Sequence, residues 1–202
     1  MLHLTVPSDP AWITCALGNL DGVLVDHAHC EMKAAANALS MAARHPDDPH
    51  VVRLLTDIAR EEIDHFQRVL ALLLVRGLEL GTPPVDPYVA ALRRVHTQIG
   101  PSRVAKNAGA VDRLLACALI EARSCERFDL LAHALVVRDG DLAAFYAELR
   151  TSEARHYRTF IDLALRTAGG DERWVFERLE KFARAEGGIV TTTAGVRGAI
   201  HG

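Results

Sequence analysis

The sequence predicts an all-α protein: a bundle of four long helices, a long crossover between the second and third, and extra short helices. Three observations predict it. Half of the residues are apolar but only 5% are aromatic, and alanine and leucine dominate, which suits helix packing better than sheet packing. Four stretches repeat apolar residues at three- and four-residue steps, the spacing with which a helix buries one face. No stretch reads as a strand.

The elements follow in chain order. Ser8-Asp9-Pro10 marks a helix start, with a capping side chain and proline in the first turn, and a short helix through Trp12 and Cys15 ends at Gly18-Asn19. Asp21 is the expected cap of the first long helix, which should end near His45-Pro46. Asp48-Pro49 starts the second, which runs to about Gly77. Glycines and prolines crowd residues 79–109 around a helix from Pro87 to about Ile99, so this is a crossover rather than a tight turn. The third long helix is expected from about Ala110 to Arg138, and the fourth from Asp141 to about Ala168 after the turn Asp139-Gly140-Asp141. A fifth, amphipathic through Val175, Leu179 and Phe182, follows Gly169-Gly170-Asp171. The whole chain, 1–202, reads as one domain, with residues 1–20 an N-terminal segment and 187–202 an irregular tail.

The register of the long helices carries the functional argument. Their seams read Leu20, Leu24, His27, Glu31, Ala34, Ala38, Met41; Leu55, Ile58, Glu62, His65, Val69, Leu72; Leu114, Ala118, Glu121, Cys125, Phe128, Ala132, Leu135; and Leu142, Tyr146, Leu149, Glu153, His156, Phe160, Leu163. Four glutamates and two histidines therefore hold core positions. An unpaired buried carboxylate costs several kcal/mol, and no arginine or lysine lies on these seams. Cations or protonation must compensate, and metal ions are the economical solution.

The six residues also form a repeat. Glu62-Ile63-Asp64-His65 and Glu153-Ala154-Arg155-His156 are both Glu-x-x-His, and a lone glutamate precedes each, Glu31 by 31 residues and Glu121 by 32. The offset between the halves is 90 for the lone glutamates and 91 for the paired motifs. One Glu from each of two helices, with Glu-x-x-His from each of the other two, is the ligand set of ferritin-like di-metal carboxylate bundles. The i, i+3 spacing puts carboxylate and imidazole on one helix face, and this mixture suits iron or manganese. Cys15, Cys30, Cys117 and Cys125 form no Cys-x-x-Cys and none falls in the ligand set, which argues against a structural zinc; reduced, buried thiols are expected. Around the six, Glu61 is a candidate to orient His156, and His27, one turn before Glu31, is a supporting histidine rather than a seventh ligand. Asp26, His29 and Glu126 take no role from spacing alone.

Composition excludes little else. The net charge of -3 neither requires nor forbids nucleic acid, although 20 of the 23 basic residues are arginine, the side chain suited to phosphate. No apolar run reaches the roughly 20 residues of a membrane span, and the N-terminus lacks the pattern of a signal peptide. No membrane association and a cytoplasmic location are the expectations.

The residues around the ligands are similar to the bacterial tRNA 2-methylthio-N6-isopentenyladenosine hydroxylase family, the MiaE-like group of ferritin-like proteins. The resemblance is carried by Asp26-His27-Ala28-His29-Cys30-Glu31 with Lys33-Ala34-Ala35, by Ala59-Arg60-Glu61-Glu62-Ile63-Asp64-His65-Phe66, by Ile120-Glu121-Ala122-Arg123-Ser124-Cys125-Glu126-Arg127-Phe128, and by Phe145-Tyr146 with Ser152-Glu153-Ala154-Arg155-His156-Tyr157. It covers about Trp12 to Leu165, and the third-helix stretch is its most specific part. It implies a di-iron monooxygenase with Glu31, Glu62, His65, Glu121, Glu153 and His156 as ligands to two iron ions, dioxygen as co-substrate, and Glu62 and Glu153 as bridging carboxylates. The implied substrate is tRNA carrying the isopentenylated adenosine beside the anticodon, hydroxylated on a terminal methyl of its side chain. The chain has no flavin or nicotinamide fingerprint, so a separate reductase must supply electrons. Arg93, Arg94, Arg103 and Lys106 in the crossover, or Arg155 and Arg158, are candidate tRNA contacts, and Ala34, Ala38 and Ala118 are candidates to leave room for the prenyl group. A monomer or dimer is expected. Iron storage by a ferritin-like shell is the alternative; di-manganese catalase, hydroxylation of a quinone precursor and a metal-free structural bundle share parts of the pattern.

Overall fold

The computed structural model describes residues 2–83, 85–100, 107–193 and 200. Among them are seven helices and no strand: α1 (Pro10–Gly18), α2 (Leu20–Ala42), α3 (Pro49–Val75), α4 (Pro87–Ile99), α5 (Ala108–Leu135), α6 (Gly140–Thr167) and α7 (Glu172–Thr193). The expected all-α class holds, as do the four long helices and the crossover helix.

Local chemistry sets most boundaries. Asp48, Asp86 and Asp139 each accept a backbone N–H of the first turn, and proline follows the first two, which satisfies donors that a helix start otherwise leaves open. Several starts and ends differ from expectation, among them the end of α5 at Leu135 rather than Arg138. Asn19, not Asp21, caps α2 through Gly22 N–H; Asp21 lies in the first turn and pairs with Arg76 at 3.4 Å. The end of α2 is Ala42 rather than His45, because Pro46 disfavours helical geometry at the residue before it, and three-residue turns at Arg44 and His45 close the helix.

The chain divides into two compact units. One runs from Thr14 to Val85 and takes in Ile200. It is built on the α2–α3 hairpin, with Val23, Leu24, Ala38 and Met41 of α2 and Val51, Leu55, Ile58, Val69 and Leu73 of α3 buried. Leu73 is buried where the seam named Leu72, since 3.6 residues per turn drift from a fixed three-four step over the roughly five turns from Leu55. His29 donates to the Leu80 carbonyl at 2.9 Å and holds the chain after α3 against α2. Asp26 accepts the Ile200 N–H at 2.7 Å.

The other unit contains the N-terminal residues to Ile13 and α4 to α7. Helix α5 packs against α4, α6 and α7 and is buried on almost every side, so its charged residues must find partners inside the protein. Asp112 does so with Arg178 of α7, at 2.7 Å for one of two bonds, and Arg178 also donates to the Gly100 carbonyl at 3.1 Å. The N-terminal segment crosses α7 and α5: Thr5 Oγ1 donates to Ala183 O at 3.0 Å, and Arg123 of α5 donates to Val6 O at 2.9 Å.

Helix α7 corrects the expectation of an irregular tail from residue 187. It continues to Thr193, because its buried face extends through Leu179, Phe182, Ala183 and Glu186 to Val190. Gly187 does not end the helix; it leaves space for the N-terminal segment. A Cβ there would come within 2.6 Å of Thr5 Oγ1 and 2.8 Å of Val6 Cγ2, whereas one on Gly188 would meet nothing. The two neighbours should therefore respond with opposite signs. Gly188→Ala should raise stability by about 0.5–1 kcal/mol through helix propensity, and Gly187→Ala should lower it by roughly 1–3 kcal/mol through overpacking. Thermal unfolding of both variants checks this; the same sign in both would refute the crossing as the reason for Gly187.

Candidate metal centre

Each unit carries one Glu and one Glu-x-x-His. In the first, Glu31 of α2 and Glu62 and His65 of α3 are 4%, 1% and 4% exposed, so all three are out of water although each is polar. Their ligand atoms lie within 4.8 Å of one another. His65 Nδ1 is 3.6 Å from both Glu31 Oε2 and Glu62 Oε2, a contact of charge rather than a hydrogen bond. His27, fully buried one turn before Glu31, is joined to Glu31 Oε1 by a hydrogen bond of 2.6 Å. In the second unit, Glu121 of α5 and Glu153 and His156 of α6 are equally buried and also bring their ligand atoms within 4.8 Å. The i, i+3 pairs arrive on one helix face because 3 residues span most of a turn.

Protonation shows what the first trio lacks. Burial, and then the neighbouring Glu62 carboxylate, push Glu31 up to about 8 against the opposing effect of His65. Burial alone would lower His65, but the Glu31 and Glu62 carboxylates outweigh it and push the imidazole up to about 10. Without a cation the trio therefore holds protons. A divalent metal would take their place, and the donors fit one: carboxylate oxygens and imidazole nitrogens, close together and dry. The nearby thiols turn elsewhere, Cys30 to Asp26 at 3.8 Å and Cys125 to the Arg150 carbonyl at 3.5 Å, so the donor set has no sulfur.

The remaining expected residues divide. Glu61 is half-buried beside Glu62, and Arg93, Arg94, Arg155 and Arg158 are exposed on α4 and α6. Arg103 and Lys106 lie outside the described residues. Ala38 and Ala118 are buried while Ala34 is half-buried. A groove of about 400 Å³ is lined by Ala132, Val136, Ala143, Ala147 and Arg150, and by no residue of either trio.

Sequence reading missed a buried ionic cluster. Arg123 and Glu186 are fully buried and joined by two parallel hydrogen bonds of 2.9 and 3.0 Å. Arg123 also contacts Glu126, and Arg127 stacks over Trp12 at 4.8 Å. The signal was present: Arg123, Glu126 and Arg127 sit on a helix that has almost no polar face to put them on.

The protonation pattern gives a pH test. Both Glu31 and His65 hold their protons to higher pH in the folded metal-free chain than in the unfolded one. Their contribution to stability is complete below about pH 4.5 and 6.5, the unfolded values, and is lost as pH rises through about 8 and 10. Thermal unfolding of the metal-free protein should show this decline, metal loading should remove it, and loading should release protons. A metal-free profile that rises over the same range would contradict the assignment.

Comparison with known proteins agrees with this geometry. The chain is 38% identical over 183 residues to the tRNA 2-(methylsulfanyl)-N(6)-isopentenyladenosine(37) hydroxylase of Pseudomonas putida, covering 91% of this chain and 84% of that one. It is 29% identical to the Salmonella typhimurium enzyme of the same name, covering 93% of this chain and 83% of that one. A solved structure, "Protein 43 with aldehyde deformylating oxygenase activity from Synechococcus", matches with a TM-score of 0.86 and 37% identity over 98% of this chain and 94% of that one, which makes the fold ferritin-like. The profile of the tRNA-(MS[2]IO[6]A)-hydroxylase (MiaE) family matches residues 1–197, and the chain belongs to that family.

Proposed function

We propose that this chain is an oxygen-dependent di-iron monooxygenase that hydroxylates the isopentenyl side chain of 2-methylthio-N6-isopentenyladenosine next to the anticodon of tRNA. The observation that carries the reading is the pair of equivalent buried Glu, Glu-x-x-His trios in a chain of the MiaE family. Family membership supports hydroxylation over iron storage.

Glu31, Glu62 and His65 of one unit and Glu121, Glu153 and His156 of the other would hold the two iron ions. When bound, the two irons supply the reduction of dioxygen and the insertion of one oxygen atom into a carbon–hydrogen bond. The chain supplies the setting. The His27 imidazole is hydrogen-bonded to Glu31 Oε1 at 2.6 Å, which orients that carboxyl group and leaves Oε2 turned toward His65. Glu61, half-buried beside Glu62, is the candidate to orient His156. Burial of all six side chains keeps bulk water away from a step that has to act on an unactivated methyl group.

The substrate side uses exposed arginines. Arg93 and Arg94 of α4 contact phosphates, with Arg103 and Lys106 extending the set. The modified adenosine turns out of the anticodon loop, which costs less in a loop than in a duplex. A separate reductase delivers electrons in each turnover. The protein acts in the cytoplasm as a monomer or dimer.

Two experiments test this. Iron-loaded protein with dioxygen, a reductant and isopentenylated tRNA, in methylthiolated and plain forms, should add one oxygen to the side chain, read by nucleoside mass spectrometry. Glu62→Ala should lower the rate by at least about 100-fold. No oxygen added to either tRNA under active reductant, with formate released from an aldehyde instead, would transfer the reading to the chemistry named for the Synechococcus protein. For the surface, Arg93→Glu with Arg94→Glu should weaken tRNA binding and flatten its dependence on salt, since each lost phosphate contact reduces the slope by about 1. An unchanged slope would remove α4 from the interface.

A further inference from the structure

Arg123, Glu126 and Arg127 belong to the most specific stretch of the sequence, yet none is a ligand in the proposed centre. We propose that Glu186 and Arg123 are positioning residues for Glu121: the buried pair fixes the axial position and rotation of α5 and thereby the place of that carboxylate in the metal centre. This rests on the di-iron reading above.

The geometry carries the inference. Glu121 and Arg123 are two residues apart on α5, about 200° around the helix axis. Glu121 is directed to Glu153 and His156 of α6, and Arg123 to Glu186 of α7. The α5 turn is therefore held from opposite sides by the centre and by the ion pair. Every guanidinium nitrogen of Arg123 is engaged. Nε and Nη2 donate to the two Glu186 oxygens at 2.9 and 3.0 Å, Nη2 also to Val6 O at 2.9 Å, and Nη1 to Glu126 and to Ser8 Oγ, the latter at 3.3 Å. Tyr88 of α4 donates to Glu186 Oε1 at 3.0 Å. Ser8 N–H and Oγ–H both donate to Glu126 at 2.8 Å. The N-terminal segment, α4, α5 and α7 thus converge on one planar fork, which allows few alternative registers.

Stability alone does not account for such a pair. Well-packed apolar residues of similar volume would often stabilise as much or more, because two charges must be taken out of water. What apolar packing does not give is a fixed direction and distance. A metal centre needs its ligands placed to about 0.5 Å, and a bidentate fork within one turn of a ligand provides that.

Cobalt(II) is a suitable probe because its visible absorption reports ligand geometry without oxygen chemistry. The full-length metal-free chain is titrated, with thermal unfolding measured in parallel. Glu186→Asp decides: it keeps the charge and both acceptors but withdraws them by about 1.5 Å. It should fold, bind the second cobalt equivalent about 10-fold more weakly, and give an altered cobalt spectrum. Arg123→Met with Glu186→Met removes both charges; it should unfold near the parent temperature yet keep the altered spectrum. Glu177→Gln, on the exposed side of α7, should match the parent in every readout. If the two cluster variants bind cobalt with the parent's spectrum and affinity, whatever their stability, the pair is structural only and the proposal is overturned. A parent chain that binds no cobalt would instead overturn the metal-centre reading.

Discussion

The chain keeps four carboxylates and two imidazoles out of water, and most of what is particular about it follows from that. Isolated buried carboxylates are untenable as anions. The first trio shows the consequence in its protons, with Glu31 and His65 both held protonated above their ordinary ranges. Polar residues placed this way on apolar seams destabilise a metal-free helical protein. A cation bound among them would supply the missing charge, so the cost in stability and the fitness of these donors for a metal have one physical origin.

The same problem recurs away from the ligands and is solved by other means. Helix α5 is buried nearly all round and still carries Asp112, Arg123 and Arg127. Here the charges are neutralised within the protein, Asp112 by Arg178 and Arg123 by Glu186 and Glu126, while Arg127 stacks on Trp12. Depressed solvation shows in Arg127, where burial and then the neighbouring Arg123 bring the guanidinium down to about 10. Internal pairing satisfies these residues without metal, which is why they read as architecture rather than as further ligands.

Much of this was legible beforehand. Helix existence, the start at Asp48-Pro49 and burial of the four glutamates and two histidines are local properties, fixed by side-chain spacing and by the needs of helix ends, whereas the Asp86 and Asp139 caps emerged only in the structure. The failures are equally local in cause. Asn19 replaced Asp21 as a cap because two suitable residues lay close together, and Pro46 shortened α2. Gly187 looked like a tail residue because glycine normally disfavours helix; only the passage of Thr5 and Val6 across that point explains it. The word around Glu121 identified a family without revealing that three of its residues belong to an ionic cluster.

The sequence by itself determined the helical class, the duplicated ligand pattern and the family, because periodicity, spacing and motif are written along one chain. Tertiary structure decided which charges answer one another. Arg123 meets Glu186 across 63 residues and Ser8 across 115, and His29 meets the Leu80 carbonyl across 51. No local rule ranks those pairings, since each buried charge has several candidate partners at similar distance in sequence. Packing chooses among them by excluding water and favouring the geometry in which these buried charges meet a partner.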